Sequence, residues 1–332
     1  MPKLRVGFLG CGGIANAHAR TLAQLPDVKM VAFCDIERDR AEHFSREYAG
    51  GEGAVYTKFR EMFDDAELEA VYICLPPFAH SSEVELAAAR GIHIFIEKPI
   101  ALEMRTANRM VRAVAKARVK SQVGFVFRFG DAVNRVKAML DSGEAGPAGL
   151  IIGKYLCNML GHPWWRDVSR SGGQIVEQII HLYDVIRFLM GDVAVVSTGM
   201  GNFFHRRVRD YTIEDVSASL LTFKSGAFGL VAGSNGGIPS QFIVQYELIA
   251  QNRVAIFQNA NSATIHHTDA GYPRQESIAT ERNMMLAENV DFIEAIRKNR
   301  PTHCPIIEGA KSLELVLAAK KSAETGQPVR LR

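Results

Sequence analysis

Apolar runs alternate with amphipathic segments through the first 130 residues of the chain. Runs rich in β-branched and aromatic residues predict buried strands, and apolar residues at helical spacing predict helices between them. The predicted strands are 4–9, 29–34, 54–56, 70–75, 92–96 and 121–127, and the predicted helices are 14–25, 38–48, 58–63, about 82–90 and 103–118. Strands that alternate with helices predict a parallel, doubly wound α/β sheet with right-handed crossovers.

The second half of the chain has a different pattern. Predicted helices cover 131–140, 172–190, 283–299 and 308–323, and predicted strands cover 150–157, 193–200, 215–223, 227–232, 242–250 and 253–258. Consecutive strands joined by short turns indicate a large open, mostly antiparallel sheet. The chain is therefore expected to form a doubly wound domain over 1–122 and an α+β domain over 123–332. Packing of the last helices on the first domain is left open.

The first turn has the pattern of a dinucleotide-binding turn. Strand 4–9 runs into Gly10-Cys11-Gly12-Gly13-Ile14-Ala15, and Asp35 ends the next strand twenty residues after Ala15. Glycine at 10 permits the tight turn, glycine at 12 lets a pyrophosphate approach the backbone, and the helix N-terminus attracts its charge. Asp35 can accept both ribose hydroxyls and repels a 2′-phosphate, so the pattern predicts a Rossmann domain that binds NAD. Arg38 and Arg40 leave NADP open.

Ligands of doubly wound sheets lie beyond the carboxyl ends of the strands. Three such ends carry suggestive residues: the glycine turn, Pro76-Pro77 and Glu97-Lys98-Pro99. His80 either caps the following helix or touches the cofactor. The expected cofactor contacts are Gly10, Gly12, Gly13, Ile14, Asp35, Arg38, Leu75, Pro76, His80, Glu97 and Lys98.

Lys98 is the first candidate for chemistry, because its ammonium would lie near a nicotinamide ring and could polarise a substrate oxygen. The alternative is a surface lysine paired with Glu97. A second candidate is the helix carrying Glu177, His181 and Asp184, which spacings of four and three place on one face. A histidine between carboxylates suits general base catalysis. The same pattern also fits a metal site or an ordinary ion-paired helix face, and no metal is expected.

Four further residues are candidates for substrate binding. Trp165 and Arg166 belong to a Trp164-Trp165-Arg166 loop, which could line a cleft or only pack. Arg128 could contact ligand or form a structural salt bridge. Asp184 is grouped with them because of its place beside His181.

Composition narrows the class of protein. The net charge of +3, from 39 basic and 36 acidic residues, gives no reason to expect nucleic acid or an anionic membrane as partner. Five scattered cysteines without C-x-x-C spacing indicate reduced thiols rather than a disulfide framework or zinc site. No signal peptide and no apolar run of about 18 residues is found, so the protein is expected to be cytoplasmic.

Taken together, these motifs resemble the Gfo/Idh/MocA oxidoreductases. The resemblance rests on G-C-G-G-I-A, A-V-Y-I-C-L-P-P-F-A-H, E-K-P-I-A-L, V-G-F-V-F-R-F, the W-R loop and G-G-Q-I-V-E-Q-I-I-H-L-Y-D, in that order. It implies NAD(P)-dependent chemistry on sugars, cyclitols or polyols, and a C-terminal sheet that forms homodimers or homotetramers. In inositol-dehydrogenase-like members the lysine acts with an aspartate and histidine spaced D-x-x-x-H, which correspond to Lys98, Glu177 and His181. Here Glu177 replaces the aspartate and Ile179 the usual glycine, and Ile179 is expected to add bulk beside cofactor or substrate.

The sequence thus predicts a dehydrogenase or reductase that transfers hydride between NAD(P) and a CH–OH group of a sugar, inositol or related polyol. Lys98 and His181 would act on the hydroxyl, with Glu177 or Asp184 orienting the histidine. An NAD-dependent glycoside-cleaving enzyme with transient oxidation and a non-catalytic cofactor-sensing protein are the alternatives. Biliverdin-reductase-like and dihydrodiol-dehydrogenase-like activities are compatible with the same fold.

Overall fold

The structure is a computed structural model that describes residues 2–269 and 274–331. The chain divides into two compact units, one formed by residues 1–124 and 283–310 and the other by 125–282 and 311–332. The expected division at 122/123 therefore falls within two residues of the first change of unit. The later segment 283–310, however, belongs to the first unit.

The first unit contains a six-stranded parallel sheet in the order β3-β2-β1-β4-β5-β6. Its strands are β1 (Leu4–Leu9), β2 (Val28–Cys34), β3 (Ala54–Tyr56), β4 (Ala70–Ile73), β5 (His93–Ile96) and β6 (Ser121–Val123). Its helices are α1 (Gly13–Leu22), α2 (Arg38–Ala49), α3 (Phe59–Asp65), α4 (Glu83–Ala89), α5 (Met104–Ala117) and α9 (Met284–Arg297). This strand order confirms the predicted doubly wound sheet and brings the carboxyl ends of β1, β4 and β5 side by side.

Aromatic rings fill the space between this sheet and helices α1 and α9. Tyr72 stacks on Phe95 with 4.6 Å between ring centroids, and Phe292 of α9 meets both rings edge-on. The imidazole of His18, on α1, lies 4.6 Å from the ring of Phe95. A titratable side chain is therefore enclosed in the apolar core, directly behind the carboxyl end of β5.

The second unit contains a nine-stranded sheet within the described residues, ordered β14-β13-β12-β11-β7-β10-β9-β8-β15. Its strands are β7 (Ala148–Leu156), β8 (Val193–Gly201), β9 (Val216–Phe223), β10 (Phe228–Ser234), β11 (Ile243–Ala250), β12 (Arg253–Asn259), β13 (Ser262–His267), β14 (Arg274–Ala279) and β15 (Val329–Arg330). Its helices are α6 (Asp131–Asp141), α7 (Val168–Ser171), α8 (Ile180–Met190) and most of α10 (Ile306–Thr325). All pairings are antiparallel except that of β7 with β10. The predicted mostly antiparallel sheet is confirmed.

One face of this sheet is covered by α8. Gly153 of β7 leaves the space that Leu182 and Ile186 occupy, because a Cβ there would lie 3.0–3.2 Å from their methyl groups. The opposite face carries exposed apolar residues on β7, β9 and β10. The sheet therefore has one face in the hydrophobic core and one at the surface.

Two predicted elements differ from the structure. The strand predicted over 121–127 ends at Val123, and a 3₁₀ turn follows from Val126 to Phe129. Phe125 leaves the extended conformation, and the buried side chain of Arg128 occupies the turn. The helix predicted over 172–190 is interrupted, since a π-helical turn (Ile175–Ile179) precedes α8.

Candidate functional site

The glycine turn forms the first part of the site. Gly10 has φ = +87°, and a Cβ at this position would collide with the Cys74 carbonyl oxygen, so only glycine fits. At Gly12 and Gly13 a Cβ would meet no atom within 4 Å, which leaves open space over the backbone. Helix α1 begins here with no side-chain cap. Its first N–H groups are thus available to a phosphate, and the turn fits a dinucleotide.

Asp35 follows β2 and is fixed by two backbone amides. Its Oδ2 accepts the N–H of Cys11 at 2.8 Å, and its Oδ1 accepts the N–H of Glu37 at 2.9 Å. The carboxylate is thereby held at the end of the strand with lone pairs left for ribose hydroxyls. The neighbouring Ile36 is 88% exposed, which gives the same place an apolar surface.

The two arginines that left NADP open have acidic partners. Arg38 donates to Glu42 at 2.9 Å, and Arg40 pairs with Glu37 at 2.9 Å. Both pairs are substantially exposed, so each is weak and can be broken. Within this geometry Asp35 is the fixed charge at the ribose position, which favours NAD.

His80 follows the 3₁₀ turn Pro77–Ala79 beyond β4, and its ring contacts the side chain of Glu83, the first residue of α4. His80 Nδ1 lies 2.7 Å from Oε1 of Glu83, whose Oε2 accepts the Ser81 N–H at 2.7 Å. Burial opposes ionisation of Glu83, but the hydrogen bond and charge of His80, together with the backbone N–H groups of Ser81 and Glu83, lower the pKa of this carboxyl. His80 Nε2 is buried and has no partner among the described residues, so one nitrogen is still available to a ligand.

Lys98 lies just beyond β5, at the same sheet edge as the glycine turn. Its backbone N–H donates to Oε2 of Glu97 at 3.1 Å. Oε1 of Glu97 is 2.9 Å from Nε2 of His18. The backbone of the half-buried Lys98 is therefore held by the side chain of Glu97, which in turn contacts the core residue His18.

The segment carrying Glu177 and His181 begins at Gly173. Gly173 has φ = +105°, and a Cβ there would lie 2.5 Å from a Glu214 oxygen. Glu214 accepts the Ile175 N–H at 2.6 Å; burial raises the pKa of Glu214, although this amide bond favours the charged form. Glu214 thus caps the π-helical turn in which Glu177 lies, and such turns are frequent at functional sites.

Glu177 and His181 have well-defined surroundings. Oε2 of Glu177 accepts the indole N–H of Trp165 at 2.6 Å. The imidazole of His181 lies beside two rings, 5.1 Å from that of Phe127 and 6.0 Å from that of Phe125. The indole therefore orients the carboxylate, and the aromatic rings fix the plane of the imidazole.

Asp184, on the same helix, is bound by residues of other elements. It is 1% exposed and forms a bidentate pair with Arg128, with 2.7 Å for both N–O distances, and Ser312 donates to the same carboxylate at 2.7 Å. The salt-bridge alternative for Arg128 is the one observed, because both carboxylate oxygens of Asp184 accept hydrogen bonds from it. That Asp184 orients His181 stays a prediction.

The tryptophan loop packs rather than standing open. Trp165 is buried against Tyr211 and Ile213, which matches the packing alternative. Arg166 is half-buried, and its Nε has no hydrogen-bond partner within residues 2–269 and 274–331. Of these two candidates, Arg166 is the better suited to meet a ligand.

Ile179 also differs from expectation. It is fully buried, and its Cδ1 occupies the space where a Cβ of Gly233, on β10, would be. Its bulk is therefore taken up between the helix and the sheet rather than beside cofactor or substrate.

Sequence reasoning missed two sets of buried groups. Glu214 caps the segment that bears Glu177, and Glu288 lies close to His18 and Glu97. Neither glutamate belongs to a motif, and each is placed only by tertiary structure. The ligand atoms of His18, Glu97 and Glu288 all lie within 4.8 Å of one another, close enough to consider a metal.

A cradle for a dinucleotide, with a lysine beside it at the carboxyl edge of the sheet, defines a nicotinamide-dependent oxidoreductase. Comparison with known proteins gives the family. Residues 4–125 match the model of the Gfo/Idh/MocA oxidoreductase family, NAD-binding Rossmann fold, and residues 133–255 match the Gfo/Idh/MocA C-terminal domain. The chain belongs to this family, and it is an NAD(P)-dependent dehydrogenase acting on CH–OH groups.

Curated relatives and solved structures match over nearly the full chain. A myo-inositol 2-dehydrogenase of Thermotoga maritima is 27% identical, covering 99% of this chain and 98% of that protein. A scyllo-inositol 2-dehydrogenase (NAD(+)) of Bacillus subtilis is 27% identical over 99% of this chain and 96% of its own. The structure of a probable dehydrogenase from Thermotoga maritima is 27% identical with a TM-score of 0.84, covering 98% of both chains.

A levoglucosan dehydrogenase in complex with NADH and L-sorbose has a TM-score of 0.92, covers 100% of both chains and is 20% identical, which supports the fold. Separately, no helix in the described part of the chain is long and apolar enough to cross a membrane.

Proposed function

We propose that the protein oxidises a secondary hydroxyl of a sugar, inositol or related polyol with NAD, or reduces the corresponding ketone. The observation that carries this is the position of Lys98, which lies beyond β5 at the same sheet edge as the glycine turn and Asp35. The names of the inositol dehydrogenases that match the full chain support the substrate class.

In the proposed reaction the substrate C–H bond breaks as hydride leaves, and NAD supplies the acceptor. The Lys98 ammonium donates a hydrogen bond to the substrate oxygen and stabilises negative charge that develops there. His181 takes the hydroxyl proton, so that a C=O bond forms as the O–H and C–H bonds break. Glu177, held by the Trp165 indole, orients the imidazole. Arg166 is the further candidate for substrate contact.

A substrate panel tests this proposal. We expect net NADH formation, followed at 340 nm, with at least one sugar, inositol or sugar acid, and a kcat/KM for NAD at least tenfold above that for NADP, because Asp35 would lie against a 2′-phosphate. Absence of turnover over the whole panel would argue for a cofactor-sensing protein. Substrate cleavage without net NADH would point to the glycoside-cleaving reaction.

Asp35→Ser is the matched variant for the cofactor half of this test. Serine keeps a small polar side chain but removes the charge. The NAD/NADP ratio should fall toward one with the substrate preference unchanged. An unchanged ratio would contradict the role given to Asp35.

We also propose that the protein forms homodimers or homotetramers through the open face of the nine-stranded sheet. Leu230 of β10 lies directly between Ile152 of β7 and Leu220 of β9 in the ladder, and Phe228 extends the row. These four side chains are 39–52% exposed. A continuous apolar stripe on rigid strands is the kind of surface that a second copy buries.

Leu230→Asp is expected to shift the oligomer to a smaller species in light scattering, since it places a charge at the centre of the stripe. Ser225→Asp, in the exposed turn between β9 and β10, should leave the mass unchanged. An unaltered oligomer in a folded Leu230→Asp protein would place the interface elsewhere.

A further inference from the structure

A cluster of three titratable side chains lies beneath Lys98 in the core of the first unit. We call His18, Glu97 and Glu288 the buried carboxyl cluster; all three are at most 6% exposed. Its ligand-type atoms lie within 4.8 Å of one another. It joins α1, the carboxyl end of β5 and α9, and it contains two carboxyl groups but only one basic group.

Hydrogen bonds fix where the protons of His18 lie. The Thr21 hydroxyl donates to the His18 carbonyl at 2.8 Å, so its oxygen must accept the side-chain amide N–H of Asn289. This leaves the amide oxygen of Asn289 facing His18 Nδ1 at 3.0 Å, and Nδ1 therefore carries a proton.

The second nitrogen of His18 faces Glu97. Nε2 is 2.9 Å from Oε1, and Oε2 of Glu97 accepts the Lys98 N–H at 3.1 Å. A single proton between Nε2 and Oε1 makes His18 and Glu97 together neutral, as imidazolium and carboxylate or as imidazole and acid. The His18–Glu97 pair therefore has no net positive charge that could stabilise a second carboxylate.

Glu288 is that second carboxyl. It is 1% exposed, and its Oε2 has no hydrogen-bond partner among the described residues. The titratable groups that face it are His18 on α1 and Glu97 after β5, which form the neutral pair, and the buried Tyr72 and Cys74 on β4. None of them leaves a net positive charge beside Glu288. Burial and the charge of Glu97 raise the pKa of Glu288 well above its ordinary range.

We propose that Glu288 is a neutral carboxylic acid in the folded protein and that the buried carboxyl cluster positions Lys98. The connection is the Glu97 carboxyl, which His18 holds from one side and which accepts the Lys98 amide from the other. Gly124 packs so closely that a Cβ there would lie 2.6 Å from Glu97 Oε1, so the Glu97 carboxyl is confined to one position. The positioning role rests on the function proposed for Lys98, whereas the protonation of Glu288 does not.

Unfolding of wild type and Glu288→Gln by urea at several pH values tests the neutral acid. The unfolded glutamate ionises above about pH 4.3, whereas folded Glu288 keeps its proton, so folding takes up one proton and wild-type stability falls as pH rises toward the raised pKa. Glutamine cannot titrate. The ratio of the two unfolding constants should therefore change about tenfold per pH unit, or roughly a hundredfold between pH 5 and pH 7, in favour of the variant.

Glu294→Gln is the control on the same helix. Glu294 is partly exposed and pairs with Lys298, which lowers its pKa, so it titrates below this range. The ratio of the unfolding constants of Glu294→Gln and wild type should therefore stay constant. If the free energies of unfolding of wild type and Glu288→Gln change with pH in parallel, Glu288 is not a neutral acid. This conclusion does not depend on the activity of the enzyme.

Kinetics test the positioning role. Glu288→Ala should lower kcat about tenfold with an unchanged Kd for NAD, because Glu288 is buried and is not among the expected cofactor contacts, and Glu288→Gln should restore most of that loss. If Glu288→Ala keeps full kcat while Lys98→Met loses it, the positioning role is wrong and the proposed function stands. If Lys98→Met keeps full kcat, the proposed function fails and the stability result is untouched.

A divalent cation is the competing occupant, since one imidazole and two carboxyls are a possible ligand set. Zn²⁺ and Mn²⁺ should leave the melting temperature of wild type unchanged relative to EDTA. A rise in melting temperature that disappears in Glu288→Gln would show that a metal ion binds the cluster, and Glu288 would then be a metal ligand rather than a neutral acid.

Discussion

Lys98→Met is expected to lower kcat by a hundredfold or more while the Kd for NAD changes by less than about threefold. Lys98 lies just beyond the end of β5, where its ammonium would stabilise charge that develops on the substrate oxygen in the proposed reaction. General acid–base and electrostatic groups of this kind contribute about 10²–10⁴ in rate. Methionine keeps the length and apolar stem without the charge. Stopped-flow or steady-state kinetics on the best substrate of the panel, with NAD binding measured by calorimetry, give both numbers.

Lys116→Met is the matched control, because Lys116 is an exposed lysine on α5 in the same unit. Its kcat should equal that of the wild type. His181→Ala should show a loss comparable to that of Lys98→Met, since both residues act on one hydroxyl in the proposed reaction. Near wild-type turnover in both the Lys98 and His181 variants would refute the assignment.

The part of the first unit formed by residues 1–124 could be predicted from the sequence, because the residues that define it lie close together along the chain. The tight turn needs glycine at 10, the acidic residue must follow the next strand, and both requirements fall within 35 residues. Lys98 could be found for the same reason, since it follows an apolar strand directly. Alternation of strands and helices then placed these motifs at one edge of the sheet.

The helix that bears Glu177 could not be predicted in detail. Spacings of four and three assume an unbroken α-helix, and the π-helical turn changes the angle between Glu177 and His181. That turn depends on Glu214, which lies 39 residues away from the Ile175 amide that it caps. Ile179 is a similar case, because the space it fills exists only where Gly233 lacks a side chain.

Edge strands were missed for a different reason. β14 begins with four polar residues and has only Ile278 and Ala279 as apolar ones, and β15 has two residues that pair with β8. An edge strand has one neighbour and little burial, so it needs no apolar run. The buried carboxyl cluster is missed likewise, since Glu288 lies 270 residues from His18 and matches no motif.

The Arg128–Asp184 pair supports a second prediction, on stability. Arg128→Met is expected to reduce the free energy of unfolding by about 3–5 kcal/mol, because the 1% exposed carboxylate of Asp184 loses its bidentate partner. Arg187, the nearest remaining cation, lies 3.8 Å from this carboxylate and is shared with Asp192 at 3.2 Å. Urea unfolding of the purified variant measures the loss.

The double variant Arg128→Met/Asp184→Leu separates a structural pair from a ligand contact. Removing both charges leaves no uncompensated group, so most of the stability lost in Arg128→Met should return. If the pair is structural, kcat/KM returns with it, because neither charge is needed by substrate. If the double variant regains stability but its KM for substrate stays raised tenfold or more, Arg128 contacts substrate. The arginine then pairs with Asp184 only in the absence of substrate.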